Sequence, residues 1–216
     1  MFSREGKLFI PKPCLLMKLF LASGNPHKVE ELQALADRTD VTVDVISARA
    51  VGGMPAVIED AGTFIGNARK KALALKTRLP ADGWALADDS GICVDALGGG
   101  PGVESAYFAG PESDADANLR KLVQVMTGVP AGQRGAHYVC VLVLISPEGA
   151  EAVFTGECHG TLLVEPSGTG GFGYDPLFVP QGFETTYGEL PGETKARTSH
   201  RALAWQQLVE WWRHRN

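Results

Sequence analysis

The run Val139-Cys140-Val141-Leu142-Val143-Leu144-Ile145 is seven apolar residues without a break. An extended chain points successive side chains to opposite faces, so such a run needs apolar cover on both sides. It predicts a central strand, beginning near His137, in a sheet with helices on each face. Pro147-Glu148-Gly149 then turns the chain into a second strand near Ala152–Thr155, an antiparallel hairpin. Leu162–Val164 reads as a further short strand, and Leu177–Val179 as another. His137 and His159 stand isolated in the sequence and read as strand-end polar residues rather than ligands.

The segments before this run alternate strand and helix. Lys18–Ala22 reads as a first strand, followed by Ser23-Gly24-Asn25-Pro26-His27-Lys28 and then Val29, Leu32 and Leu35 at helical spacing. Asn25 suits a helix N-cap and Pro26 the first helical position. The free N–H groups, the positive helix end and Lys28 converge there, as for an anion, although a plain capped helix with a surface lysine has the same local pattern. It is no Walker A loop, which needs G-x-x-x-x-G-K-[ST]. Val41–Ile46 alternates as a strand, and residues 48–61 read as a loop. Thr63 then caps a helix with Phe64, Ala68, Ala72, Leu75 and Leu79 on one stripe. Lys71 sits beside that stripe, placed either to reach a cleft or to lie solvated in the Arg69-Lys70-Lys71 run.

Trp84–Ala87 reads as a short strand ending in Asp88-Asp89-Ser90-Gly91. Two readings stand for this stretch, a polar turn or an acidic site at a strand end. In extended chain the two carboxylates face opposite ways, so one is free for a metal or water while the other is held by backbone donors. Gly98–Gly102 predicts a tight loop near them. Ser113 or Asp114 starts a helix with Leu119, Leu122, Val123 and Met126 on one face. Gly168–Pro176 places four glycines around Phe172 and Tyr174, a loop able to bring backbone and an aromatic against a flat base. The C-terminal helix carries Leu203, Leu208, Val209, Trp211 and Trp212, its tryptophans in the core or at a subunit contact.

Composition narrows the class. With 216 residues, 44% hydrophobic and 21% charged, the chain is long enough for one α/β domain and is not disordered. A net charge of −5 disfavours a nucleic-acid-coating surface. Cys14, Cys93, Cys140 and Cys158 form no CxxC pair and suit the reducing cytoplasm. No segment is apolar for long enough to span a membrane. Residues 1–16 read as an ill-ordered extension or the product of an upstream start codon, and 17–216 as one domain. No G-x-G-x-x-G occurs in a βα turn followed by an acidic strand residue, so nicotinamide binding is unsupported.

Four stretches in this order resemble one family, the inosine triphosphate pyrophosphatases: Ser23–Lys28, Ala87–Gly91, Gly170–Pro176 and Ser199-His200-Arg201. Thr63-Phe64, Asn67-Ala68, Lys71-Ala72, Pro101-Gly102 and Ser105-Ala106 support it. The resemblance implies a mixed central sheet flanked by helices, with two lobes and a nucleotide cleft between them. It implies a Mg²⁺-dependent homodimer that cleaves the triphosphates of inosine, deoxyinosine and xanthosine to monophosphate and pyrophosphate. By the same resemblance, Ser23, Gly24, Asn25, Pro26, His27 and Lys28 bind the triphosphate, and Lys71 lies in the cleft. Asp89 is the catalytic base and, with Glu59, a metal contact; Ser90 binds substrate. Phe172, Gly173, Tyr174 and Asp175 form the base loop, and Lys195, His200 and Arg201 recognise the purine six-oxygen. Asp88 is left as a structural or outlying metal-site residue. The chain departs from the family pattern at Tyr107, where an arginine is common, and at Gly66, where a glutamate often stands.

Overall fold

The computed structural model describes residues 17–215; the expectation for residues 1–16 lies outside them. Six strands form one sheet: β1 (Met17–Leu21), β2 (Val43–Ser47), β3 (Trp84–Val94), β4 (Gly135–Ile145), β5 (Glu151–Leu162) and β6 (Phe178–Pro180). Their order across the sheet is β2-β1-β3-β4-β5-β6. β1 is parallel to β2 and β3, and every later pairing is antiparallel, so the sheet is mixed. The helices are α1 (Pro26–Ala36), α2 (Phe64–Lys76), α3 (Ala115–Val125), α4 (Gly192–Thr198) and α5 (His200–Arg215).

The apolar run lies in β4, and its alternation divides the core. Cys140, Leu142 and Leu144 join Leu86, with Leu32 and Leu35 of α1 and Trp205 and Leu208 of α5. Val139, Val141 and Val143 join Ala85 and Ala87 against Ala68, Ala72 and Leu75 of α2. A third cluster gathers Ile92, Val94 and Tyr138 at the far ends of the long strands with Leu122, Met126 and Phe178. These clusters make the two lobes, with β3, β4 and β5 spanning both. Because Leu142 is fully buried, its replacement by alanine would cost about 2–5 kcal/mol.

The lobes part where β1 stops. Its pairing with β3 ends at Leu21 opposite Leu86, and Ala22 donates to the Leu86 carbonyl. Farther along, a 3₁₀ segment, Gly102–Tyr107, flanks β3, with the Ile92 N–H on Ser105 Oγ at 2.9 Å. A side chain at Gly91 would strike the Gly102 carbonyl and Ser105 Oγ, so glycine lets this segment lie against the strand. Asp88, Asp89 and Ser90 occupy the gap between β1 and that segment.

Three expectations are corrected. Asp88–Gly91 is neither a turn nor a strand end: β3 runs on to Val94, paired throughout with β4. The strand expected at 152–155 is part of one long strand, β5, which runs on to Leu162; Leu163 and Val164 of the strand expected at 162–164 lie beyond its end. Gly156 does not interrupt it, but admits the α5 backbone at His200 and Ala204, where a Cβ would clash. His137 and His159 are not isolated, since the β4–β5 register sets them opposite each other with their rings stacked. The sequence also gives no warning of the separate helix α4, and α2 closes at Lys76, before Leu79.

Candidate active site

The loop after β1 is locked by its own side chains. Ser23 Oγ accepts the Asn25 N–H at 3.1 Å, and Asn25 Oδ1 accepts the His27 N–H at 2.9 Å, with Pro26 opening α1. Lys28, in the first helical turn, crosses to the Asp88 carboxylate. Ser23, Gly24, Asn25, Lys28, Glu59, Lys71, Asp88, Asp89 and Ser90 line one cavity. Asn25, Lys28 and Ser90 also line a second, with Phe172, Gly173, Tyr174, Asp175, Lys195, His200 and Arg201. The two cavities meet at those shared residues. Pro26 and His27 line neither; His27 stacks on Phe172 instead, ring centroids 5.3 Å apart and planes 13° apart.

The two aspartates take opposite faces of β3, as strand geometry requires. Asp88 turns toward α1 and α5 and is held by side-chain cations, not by the backbone donors expected for one of the pair. Arg201 Nε donates to its Oδ2 at 2.7 Å, while Lys28 and the Ser90 hydroxyl, at 3.0 Å, donate to Oδ1. The Cys140 thiol lies 3.3 Å from Oδ2. Burial pushes this carboxyl up, but the Arg201 and Lys28 charges overcome that and hold it well below the usual carboxylate range.

Asp89 turns toward α2. Lys71 Nζ donates to its Oδ1 at 2.6 Å and lies 3.1 Å from Glu59 Oε2. The lysine is only 8% exposed, which overturns the solvated reading. Asp89 Oδ2 is buried and has no protein partner. Burial pushes the carboxyl up to about 6, with Lys71 pulling the other way. Lys71 itself is lowered by burial but raised more by Asp89 and Glu59, so it stays charged.

In the second cavity Lys195 Nζ bonds Asp175 Oδ2 and Glu31 Oε1, each at 2.6 Å, and lies 4.5 Å from the Phe172 ring centroid. Asp175 Oδ2 also accepts the Phe172 N–H at 2.8 Å, which fixes the aromatic loop. Tyr174 braces that loop from the other side, its hydroxyl on the Ser105 carbonyl at 2.7 Å. Arg201 is fully buried among Asp88, Glu31 and Ser90, so most of its donors are engaged within the protein. His200 stacks on Tyr138 at 4.6 Å, with its Nδ1 buried and unpartnered. Burial, then the Arg201 and Lys195 charges, hold its imidazole well below its ordinary value and therefore neutral.

Glu31 is the residue that sequence reading missed. It bonds both Lys195 and Arg201, and despite burial those two cations hold its carboxyl below the ordinary value. Its partners lie more than 160 residues away along the chain, so no local pattern marks it. Tyr138, missed for the same reason, lines the second cavity and places its hydroxyl 3.4 Å from Asp175 Oδ1. Of the departures from the family pattern, Tyr107 lines the cavity of Asp89, half exposed. Gly66 has a local cause: a Cβ there would lie 2.8 Å from Thr63 Oγ1 and clash with the Ala61 side chain.

The donor set fits a hard divalent cation. Mg²⁺ takes one or two carboxylates and fills its remaining positions with substrate oxygens and water. Glu59 and Asp89, the latter with a free buried oxygen, form such a pair. Among the described residues no three His, Cys, Asp or Glu side chains gather as an all-protein metal cage.

Known proteins are similar to this chain over about nine-tenths of its length. A dITP/XTP pyrophosphatase of Opitutus terrae is 60% identical over 201 residues, covering 91% of this chain and 99% of the relative. That of Streptomyces avermitilis is 43% identical, covering 90% and 96%. Among solved structures, the Staphylococcus aureus Ham1 protein superposes with a TM-score of 0.79 at 31% identity, covering 92% of this chain and all of that one. A Mycobacterium abscessus nucleoside-triphosphatase / dITP/XTP pyrophosphatase gives 0.70 at 38% identity, covering 89% and 99%. With residues 19–211 matched by the Ham1 family model, the chain belongs to the Ham1 family.

Proposed function

We propose that this chain hydrolyses the triphosphates of altered purine nucleosides (deoxyinosine, inosine and xanthosine) to the monophosphate and pyrophosphate, clearing them from the nucleotide pool. The observation that carries the reading is Asp89. One of its oxygens is fixed by Lys71 and the other is buried and free, in the cavity of the Ser23–Lys28 turn that adjoins an aromatic, cation-lined pocket.

The triphosphate lies along Ser23–Lys28, and the purine enters between Phe172–Asp175 and His200. Asp89 takes the proton of a water that attacks the α-phosphorus; the bond to the bridging oxygen breaks and pyrophosphate leaves. A base must be ionised to act, and a carboxyl near 6 is ionised at neutral pH yet basic enough to accept a proton. Lys71 orients it, and Lys28 and Ser90 meet the phosphate side. Held by Glu59 and Asp89, Mg²⁺ would offset the charge developing on the phosphate oxygens. The six-oxygen meets two groups that only donate, Lys195, whose remaining proton is not taken by Glu31 or Asp175, and the unengaged part of Arg201, with neutral His200 beside them. Adenine would set an amino group against those donors, and a buried donor left unpaired costs roughly 1–3 kcal/mol.

The family resemblance supports a homodimer and Mg²⁺ as the metal. Free Cys93, Cys140 and Cys158 suit the cytoplasm, and no helix among the described residues is long and apolar enough to cross a membrane. The test is a panel of nucleoside triphosphates with Mg²⁺, scored for pyrophosphate and orthophosphate. Pyrophosphate from inosine, deoxyinosine and xanthosine triphosphates in preference to adenosine triphosphate is expected. Orthophosphate as the first product, or preference for adenosine triphosphate, overturns the reading.

A further inference from the structure

Away from the cleft, β4 and β5 carry a second group of ligand-type side chains. His137 and His159 lie directly opposite each other in the antiparallel register. The His159 carbonyl accepts the Gln181 N–H from the β6 side, so its backbone groups face away from β4. His137 and His159 are therefore a non-hydrogen-bonded pair, the kind in which opposed side chains approach most closely. Their rings are stacked with centroids 5.2 Å apart and planes 28° apart. Glu157, two residues before His159 and hence on the same sheet face, places Oε2 3.5 Å from His159 Nε2. His159 and Glu157 are about half exposed and His137 partly so, which leaves the group open to solvent.

We propose that His137 and His159 are a second metal site, a two-imidazole chelate for a late first-row divalent cation such as Zn²⁺, with Glu157 as its carboxylate. Imidazole is a ligand for Zn²⁺ and Cu²⁺, whereas the all-oxygen partners in the cleft suit Mg²⁺, so the two sites differ in the metal they select. Among the described residues no three such donors converge as they stand. The two rings form the chelate by turning their nitrogens toward a common point, and Glu157 and water complete the coordination. At Zn–N distances of about 2.0–2.1 Å the nitrogens of a tetrahedral pair stand roughly 3.3 Å apart, within reach of rings this close. Cys93 lies opposite His137 on the β3 side of β4, partly buried. Such a cation clips β4 to β5 and stabilises the folded chain by mass action, since the unfolded chain lacks the pair.

The test uses the full chain in Mg²⁺ buffer, titrated with Zn²⁺ by calorimetry and followed by thermal unfolding. The wild type is expected to bind one equivalent of Zn²⁺ and to gain Tm with it. His137→Gln and His159→Gln should each lose both effects while keeping the Zn²⁺-free Tm and the Mg²⁺-dependent pyrophosphate release. With Cu²⁺, electron paramagnetic resonance should show two coupled imidazole nitrogens in the wild type and at most one in either variant. No Zn²⁺ binding by the wild type, binding unchanged in both variants, or a Cu²⁺ spectrum that ignores both substitutions would overturn the site.

Discussion

Asp88 faces α1 and α5 with both carboxylate oxygens engaged by Lys28, Arg201, Ser90 and Cys140. Asp89, one peptide further on, faces α2 with one oxygen on Lys71 and the other on nothing. Both are buried, at 1% and 6% exposure, so burial does not distinguish them. The number and sign of their partners do. Two cations stabilise the Asp88 anion beyond its desolvation, which ties α1, β3 and α5 together at the cleft. Asp89 keeps one cation, one free oxygen and a carboxyl near 6, which leaves a proton acceptor. The opposite shifts also give opposite pH linkage. Asp88, depressed in the fold, adds stability above its unfolded value, lost only in strong acid as pH falls through the folded one. Asp89, raised in the fold, favours the folded state while protonated, and that contribution is lost as pH rises through about 6.

Substitution tests the contrast most severely. Asp89→Asn should lower pyrophosphate release by about 10²–10⁴-fold, the usual contribution of a general base. Its Tm at neutral pH should not fall, because the variant no longer buries an anion whose ionisation the fold resists. Asp88→Ala should do the reverse, costing roughly 3–5 kcal/mol in urea unfolding by leaving Arg201 and Lys28 short of a buried partner. Equal stability losses in the two variants would erase the division of roles. The acid limb of kcat/KM should fall tenfold per pH unit below about 6, and Lys71→Met should move that limb to higher pH. Glu31→Gln should raise KM for inosine triphosphate about tenfold with kcat little changed, since it loosens Lys195 and Arg201 rather than the attacking water. Ser90→Ala should have the smallest effect, about 1 kcal/mol in binding, for one hydroxyl bonded to Asp88 and Arg201.

The sequence by itself determined the elements whose causes lie within a few residues. Asn25 and Pro26 start α1, Thr63 caps α2 and Asp114 caps α3, and the unbroken apolar run is a strand covered on both faces. Period-two geometry was enough to separate Asp88 from Asp89. Tertiary structure alone decided that β3 continues through the acidic pair, because what favours extension there is the β4 ladder from Ala85 to Val94 rather than the propensity of Asp, Ser and Gly. It alone joined Glu31 to Arg201 and Lys195, buried Lys71 against Asp89, and set His137 beside His159. Local patterns act over one or two turns of chain, whereas these partners are separated by 18 to 170 residues and meet only once the sheet and its helices have packed.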